Sequence, residues 1–326
     1  MYNQLVKQWN LFVDLFLQIK KNGIKNGYKE FKTIQKWLVK KVSYGKDYPD
    51  KTFYVIRRYT PDAGVFSYMN SCVTNFKYCE EHGYIPVVDL QNNRSIYLTK
   101  KNVGKLNAWE FFFEQPAGYT LKDIKHAKNV ILNGGGYQYG TWPFDIFTAD
   151  TYADWRPYCH KYIKFSKEVI EKTEELKKRF FKEDDIICGV LCRGKAYTVS
   201  RISNHPVQPD IDDVVVDIKR CLNDYGCNKI YLATEERSAY DYLKSIFGEK
   251  LVSVADFSDL EDIKRGVIQM PGEQAEKIQK GINYAASVRI LSDARCLVGG
   301  NTSGTIAAEI LSDGYDYDHI FDLGRY

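Results

Sequence analysis

The chain has 326 residues, 44% hydrophobic and 27% charged, the balance of a soluble globular protein with room for two α/β domains. Its net charge of +4 is uneven: residues 1–50 hold ten Lys against Asp14, Glu30, Asp47 and Asp50, a surplus of +6 that leaves the rest at −2. A body so charged excludes nucleic-acid binding driven by electrostatics, and no run reaches the roughly 18–20 apolar residues of a membrane span.

Within residues 5–19 a narrow polar stripe of Lys7, Asn10, Asp14 and Gln18 recurs at helical spacing and continues to Lys21. Further on, Tyr28, Phe31, Ile34, Trp37 and Leu38 share one helical face, and Lys29, Lys32, Lys36 and Lys40 the other. A basic amphipathic helix of this kind lies at an anionic membrane surface. A helical hairpin packed on the body or on a second subunit fits the same residues, and the sequence does not choose between them.

From about residue 52 strands and helices alternate. Residues 53–59 read as a strand, 64–83 as a glycine-initiated loop entering a helix, 84–90 as a strand, and 129–136 as a strand running into a triple-glycine loop. Residues 150–182 read as helical, ending in a charge-dense stretch that suggests a solvated connector. Strands then fall at 186–192, 228–233, 250–254, 295–299 and near 318–322, with helices at 210–225, 237–247, 273–292 and 303–313. Apolar strands separated by amphipathic helices specify a parallel sheet covered on both faces, whose carboxyl edge holds the ligand.

Cys72, Cys79, Cys159, Cys188, Cys192, Cys221, Cys227 and Cys296 form no CxxC pair and no cluster with His. Several lie in apolar runs, where Cys behaves as a small hydrophobe. A reducing, cytoplasmic setting is expected rather than a disulfide framework or zinc site, and the N-terminus has no signal-peptide pattern. The 25 Tyr and 17 Phe suit sugar-binding walls and fit compositional drift equally well.

The strand ends carry the chemistry. Arg193-Gly194-Lys195 follows the strand at 186–192, Thr234-Glu235-Glu236 the strand at 228–233, and Asp256 the strand at 250–254. The stretch GGNTSGT, Gly299 to Thr305, then leads into a helix. Its glycines let backbone approach a ligand, Thr302, Ser303 and Thr305 add hydroxyls, and free N–H groups at a helix start favour an anion. No Lys follows at Walker A spacing, and a Ser/Thr N-cap with flexible glycines reads the same residues. Arg193 on the same edge favours the anion, because a guanidinium bridges two phosphate oxygens. Asp256 suits a base N–H or a ribose hydroxyl. Glu235 and Glu236 suit orienting Arg193 or meeting a donor sugar, or simply a helix start that favours acids.

This constellation resembles the α-1,6-fucosyltransferase/nodulation-fucosyltransferase superfamily, glycosyltransferases of two-domain GT-B type found bacterially among surface-polysaccharide genes. Gly189 to Tyr197, GVLCRGKAY, lies on the family's Gly-Val-His-Val-Arg-Arg-Thr-Asp-Lys, and His205-Pro206 on its His-Pro without a gap. Tyr231 to Glu236, YLATEE, lies on Tyr-Leu-Ala-Thr-Asp-Asp, Ala255-Asp256 on Ser-Asp, and GGNTSGTIAAEIL on the Ser-Ser loop and helix. Gly64 onward, Gln91-Asn92 and Trp109-Glu110 match first-domain features, so the likeness runs from about residue 52 to the end.

The resemblance implies an α/β, GT-B-like fold: two Rossmann-like domains facing across a cleft, with an N-terminal helical extension. The divisions expected are 1–50 for the extension, 51–183 for the acceptor-side domain and 184–326 for the donor domain. It also implies inverting transfer, without a metal or other cofactor, from a nucleotide-sugar such as GDP-fucose to a glycan or lipid-linked glycan acceptor. Arg193 would hold the β-phosphate; Gly194, Lys195, Asn301, Thr302, Ser303, Gly304 and Gly64 would complete the donor site, with Asp256 on the nucleoside. Three departures stand out: Leu191 replaces the family His at the guanine, Lys195-Ala196-Tyr197 replaces Thr-Asp-Lys, and Arg201 replaces the proposed acceptor base. Asp62, Asp89, Glu235 and Glu236 are the remaining candidates for a base. A different nucleotide donor, or a non-catalytic nucleotide- or glycan-binding homologue, also fits those departures. A protein of this kind is expected in the cytoplasm, peripheral to the inner face of the plasma membrane if residues 1–45 bind lipid.

Overall fold

The apolar run at 53–57 is the buried half of β2 (Asp47–Arg57), which lies between β3 (Ile85–Asp89) and β4 (Ala127–Leu132), parallel to both. A short β1 (Lys40–Val42) adds antiparallel to β4, giving the order β1-β4-β2-β3. The structure, a computed structural model, describes residues 19–20, 23–24, 38–58, 60–193, 201, 204–254 and 272–326. Most of the expected N-terminal helical segment, together with Gly194, Lys195 and Asp256, lies outside the described residues. Residues 40–50 correct the expectation of a helical extension to residue 50: they form β1 and the start of β2. Their strand segments are polar and largely exposed, so they lack the alternation that marks a half-buried strand.

The second sheet is wholly parallel in the order β7-β6-β5-β8-β9, from β5 (Ile187–Leu191), β6 (Lys229–Ala233), β7 (Leu251–Ser253), β8 (Cys296–Gly300) and β9 (Tyr317–Phe321). Each strand lies within two or three residues of its expected limits. The order turns outward from β5 in both directions, so the carboxyl ends of β5 and β8 flank the switch point where α/β sheets bind ligands.

Helix α1 (Val65–His82) buries Phe66, Met69, Val73 and Phe76 completely or nearly so, each side chain contributing about 1.5–3 kcal/mol of burial. It ends at Gly83, whose φ of 66° is left-handed, with Gly83 N–H donating to Glu80 O and Tyr84 N–H to Cys79 O. This double return closes the last helical carbonyls, and only glycine adopts it without strain. The stretch 150–182 is two helices, α2 (Tyr152–Tyr162) and α3 (Lys167–Phe180), broken where Phe165 bridges Phe113. Helix α3 is no solvated connector: Val169, Thr173 and Leu176 are buried, and its main helical neighbour is the long helix α6, described next. The second sheet is covered by α4 (Ile211–Asp224), α5 (Arg237–Phe247), α6 (Gln274–Ser292) and α7 (Ser303–Leu311).

Each sheet has an apolar cluster of its own on one face, and a third joins the two sheets. A single apolar cluster runs from Phe66 and Tyr97 of the first half to Leu191, Leu291 and Ile306 of the second. Helix α7 packs on both α1 and α2, and Asn70 on α1 donates from Nδ2 to Ser303 O at 3.0 Å. At the carboxyl edge of the first sheet, buried Asn133 accepts at Oδ1 from the N–H of Arg57 and of Gly135, both at 2.9 Å. Its Nδ2 donates to Asn75 Oδ1 at 3.0 Å. One amide thus ties the ends of β2 and β4 to α1. Among the described residues no helix is long and apolar enough to cross a membrane.

Candidate active site

Leu191 ends β5 and the chain turns out through Cys192 to Arg193. Arg193 Nη1 donates to Glu235 Oε1 at 2.6 Å, with the two side chains 22% and 34% exposed. Since β5 and β6 are paired neighbours, this ion pair joins two adjacent strand tips while leaving the guanidinium partly open. Burial pushes the Cys192 thiol up to about 12, with the charges of Glu235 and Glu236 adding to the shift. The thiol beneath the site is therefore protonated and inert at neutral pH.

Glu236 caps α5 and is buried. Its N–H donates to Thr234 Oγ1 at 3.1 Å, and Ser238 Oγ donates to its Oε1. Its Oε2 is buried without a partner among the described residues, an arrangement costly unless something else donates to it. Asn301 Oδ1 and Gln208 Oε1 are orphaned in the same way along this edge.

Thr302 is the N-cap of α7: its Oγ1 accepts from Thr305 N–H at 3.2 Å, and the two hydroxyl oxygens lie 2.7 Å apart. Thr305 Oγ1 in turn donates to Gly300 O at 2.6 Å. The threonine hydroxyls are thus engaged in building the turn. Among the described residues the N–H groups of Ser303 and Gly304 find no acceptor, leaving a positive helix start for an anion.

The glycines of this turn also stand against close neighbours. A Cβ on Gly299 would stand 2.7 Å from Leu191 O, and one on Gly300 2.2 Å from Gln208 Oε1. One on Gly304 would stand 2.3 Å from Tyr284 Oη and 2.8 Å from Leu191 Cδ1. Leu191, 3% exposed, belongs to this packed layer. The Leu191 side chain is therefore core.

From the first half, Gly64 caps α1 in extended conformation, and Val65 N–H donates to Tyr97 Oη at 3.0 Å. Burial raises the Tyr97 phenol, and the charge of Arg193 acts on it in the opposite sense. The charge of Arg193 at the β5 tip thus reaches the tyrosine that caps the start of α1. Tyr97 escaped the sequence reading because nothing in its local pattern separates it from a core tyrosine. His205 sits here too: burial, then the charge of Arg193, hold its imidazole below the ordinary value. Its carbonyl accepts from Tyr326 N–H at 3.1 Å, and Pro206 bridges Arg325. Arg325 in turn pairs with Asp145 of the first half.

The other candidate acids separate. Asp62 is exposed and makes no hydrogen bond or ion pair among the described residues. Asp89 is buried, and accepts from the N–H of Gln91 and Asn92 at 3.0 and 3.1 Å and from Asn92 Nδ2 at 2.9 Å. It closes a turn. Arg201 is exposed, with a left-handed φ of 38°. Among the described residues no group of three or more His, Cys, Asp or Glu side chains converges to hold a metal ion.

With paired strand tips, a capped anion turn and a first half reaching across to them, the fold is α/β and GT-B-like, with Rossmann-like halves. Solved structures share it. A fucosyltransferase NodZ from Bradyrhizobium superposes with a TM-score of 0.51 at 14% identity, over 80% of this chain and 94% of that one. A NodZ α-1,6-fucosyltransferase co-crystallised with GDP gives 0.51 at 15%, over 80% and 93%. POFUT1 in complex with GDP gives 0.51 at 9%, over 83% and 99%. At these identities the likeness is one of fold. No protein-family model and no curated protein sequence matches the chain.

Proposed function

We propose that the chain is a glycosyltransferase of fucosyltransferase type, moving fucose or a related sugar from a nucleotide-sugar, GDP-fucose first, to a glycan or glycolipid precursor. The observation that carries this reading is Arg193, held at the β5 tip by Glu235 on the same edge as the open helix start at Ser303 and Gly304. A guanidinium and free N–H groups on one sheet edge suit a pyrophosphate leaving group, whose charge grows as the glycosidic bond breaks. The reading needs no metal, because those groups supply the positive charge. Two solved structures of the same fold hold GDP, which supports a guanosine diphosphate here.

In this reading Arg193 neutralises the departing β-phosphate, and the α7 start binds the pyrophosphate. Glu236 Oε2, Asn301 Oδ1 and the edge around Gly64 are acceptors and backbone available to the donor sugar. Gly194, Lys195 and Asp256 are assigned to donor binding from sequence. Glu235 is engaged by Arg193, so Glu236 and Asp62 are the carboxylates left to act as base, and attack from the acceptor side inverts the anomeric carbon. Release of free GDP from GDP-fucose by purified protein, with and without candidate acceptors, tests the reading. Selective release or binding of UDP in place of GDP overturns the fucosyl assignment. The division at about residues 51 and 184 and a peripheral membrane contact through residues 1–45 belong to the same proposal; sedimentation with anionic vesicles, with and without residues 1–45, tests the latter.

A further inference from the structure

Four cysteines scattered in sequence meet in the second sheet. Cys188 on β5 and Cys296 on β8 are register partners, while Cys221 on α4 and Cys227 just before β6 close over them. Cys227 Sγ donates to Cys296 Sγ at 3.6 Å, and Cys227 N–H donates to Cys221 O at 3.2 Å. All four are buried and all are free thiols. Cys188 and Cys296 lie at the amino ends of strands whose carboxyl ends carry Arg193 and the anion turn, so the cluster is separate from the candidate active site.

We propose that Cys227 and Cys296 are a thiol-oxidation site, joined as a disulfide by a small peroxide. Hydrogen bonds from Cys221 and Cys227 hold the Cys296 thiol below its ordinary value, which makes its sulfur the nucleophile of the group. Cys296 sulfur attacks one peroxide oxygen; the O–O bond breaks, a sulfenic acid forms, and the departing hydroxide takes the thiol proton as water. Cys227 sulfur then attacks the sulfenyl sulfur, the S–O bond breaks, and the hydroxyl leaves with the Cys227 proton as a second water. The peroxide is reduced by two electrons and the two thiols are oxidised by two. From 3.6 Å the sulfurs need a shift of about 1.5 Å to reach bonding distance, within reach of side-chain rotation.

The test exposes the full-length folded protein to graded hydrogen peroxide, blocks remaining thiols with N-ethylmaleimide after unfolding, and maps the peptides by mass spectrometry. The expected result is one dominant link, Cys227 to Cys296, formed before circular dichroism changes and reversed by dithiothreitol. Cys227→Ser and Cys296→Ser each remove it, and Cys188→Ser leaves it. If a serine variant misfolds, the wild-type peptide map alone decides. A dominant link between other cysteines, sulfinic acid without any link, or thiols all still reduced when circular dichroism begins to change overturns the proposal.

Discussion

Arg193 Nη1 and Glu235 Oε1 stand 2.6 Å apart, joining the tips of the neighbouring parallel strands β5 and β6 beside the switch point of the second sheet. The carboxylate holds the guanidinium in place without fully burying it, as an electrostatic device needs: pre-oriented, and still 22% exposed at the strand tip. Removing the guanidinium should lower turnover about 100–1,000-fold. Arg193→Lys should recover only part, since an ammonium keeps the charge and loses the planar fork. Glu235→Gln should fall between, with the cation present but less firmly held. Initial rates of GDP release from GDP-fucose check the order; an Arg193→Ala enzyme with most of its activity contradicts the site.

Gly299→Ala separates a packing glycine from a ligand glycine. The new methyl meets Leu191 O, a backbone atom of β5, at 2.7 Å, and a strand cannot step aside as a side chain can. Overpacking of this kind costs about 1–3 kcal/mol. Urea denaturation without nucleotide should show the whole loss. An unchanged midpoint would return the glycine to a ligand role.

Glu309 makes folding sensitive to alkali. On α7, facing α2, it is 1% exposed, with Oε2 3.4 Å from Arg156 Nη2 and Oε1 buried without a partner among the described residues. Burial, then Asp318, raise its carboxyl from 4.5 to about 8 against the pull of Arg156. The folded form holds a proton that the unfolded form has released, so stability is full below about 4.5 and declines as pH rises to about 8. Glu309→Gln should flatten that decline, gaining at least about 1.4 kcal/mol at pH 8 relative to pH 5, a tenfold change in the folding constant. Parallel denaturation curves for the two proteins across this range would contradict the buried-acid account.

His205 acts on the acid side. Its imidazole is held below 6.5 by burial and by Arg193, so the unfolded chain takes up a proton near that pH while the folded chain stays neutral. Stability should therefore fall as pH drops through and below about 6.5. His205→Gln should remove this component. Thermal melts of both proteins between pH 7 and pH 5 check it, and an identical acid slope would place the imidazole away from the guanidinium.

Much of the second half was legible because its physics is local. Apolar runs of β-sheet length between amphipathic helices of high contrast left little choice for β5, β6, β8, α4 and α5. The strand-end rule then brought Arg193, Glu235 and Thr302 to one edge. What escaped depends on contacts between distant residues. The hydrogen bond from Asn70 to Ser303 O and the influence of Arg193's charge on Tyr97 leave no trace in local pattern. The polar residues 40–42 and 47 form strand because β4 offers them an edge to pair with. That Leu191, Gln208 and Tyr284 pack beside Gly299, Gly300 and Gly304 likewise leaves no mark in the sequence. The gathering of Cys188, Cys221, Cys227 and Cys296 follows from sheet register, which spacing along the chain does not reveal.

The measurement that bears most directly on the donor site is calorimetric titration of GDP, with UDP, ADP and CMP as competitors, into the wild-type chain and Arg193→Ala. The account predicts that GDP binds the wild-type chain more tightly than the other three nucleotides, and that Arg193→Ala loses at least about tenfold in affinity, or 1.4 kcal/mol. Equal GDP affinity in the two proteins, or a clear preference for UDP, would contradict it.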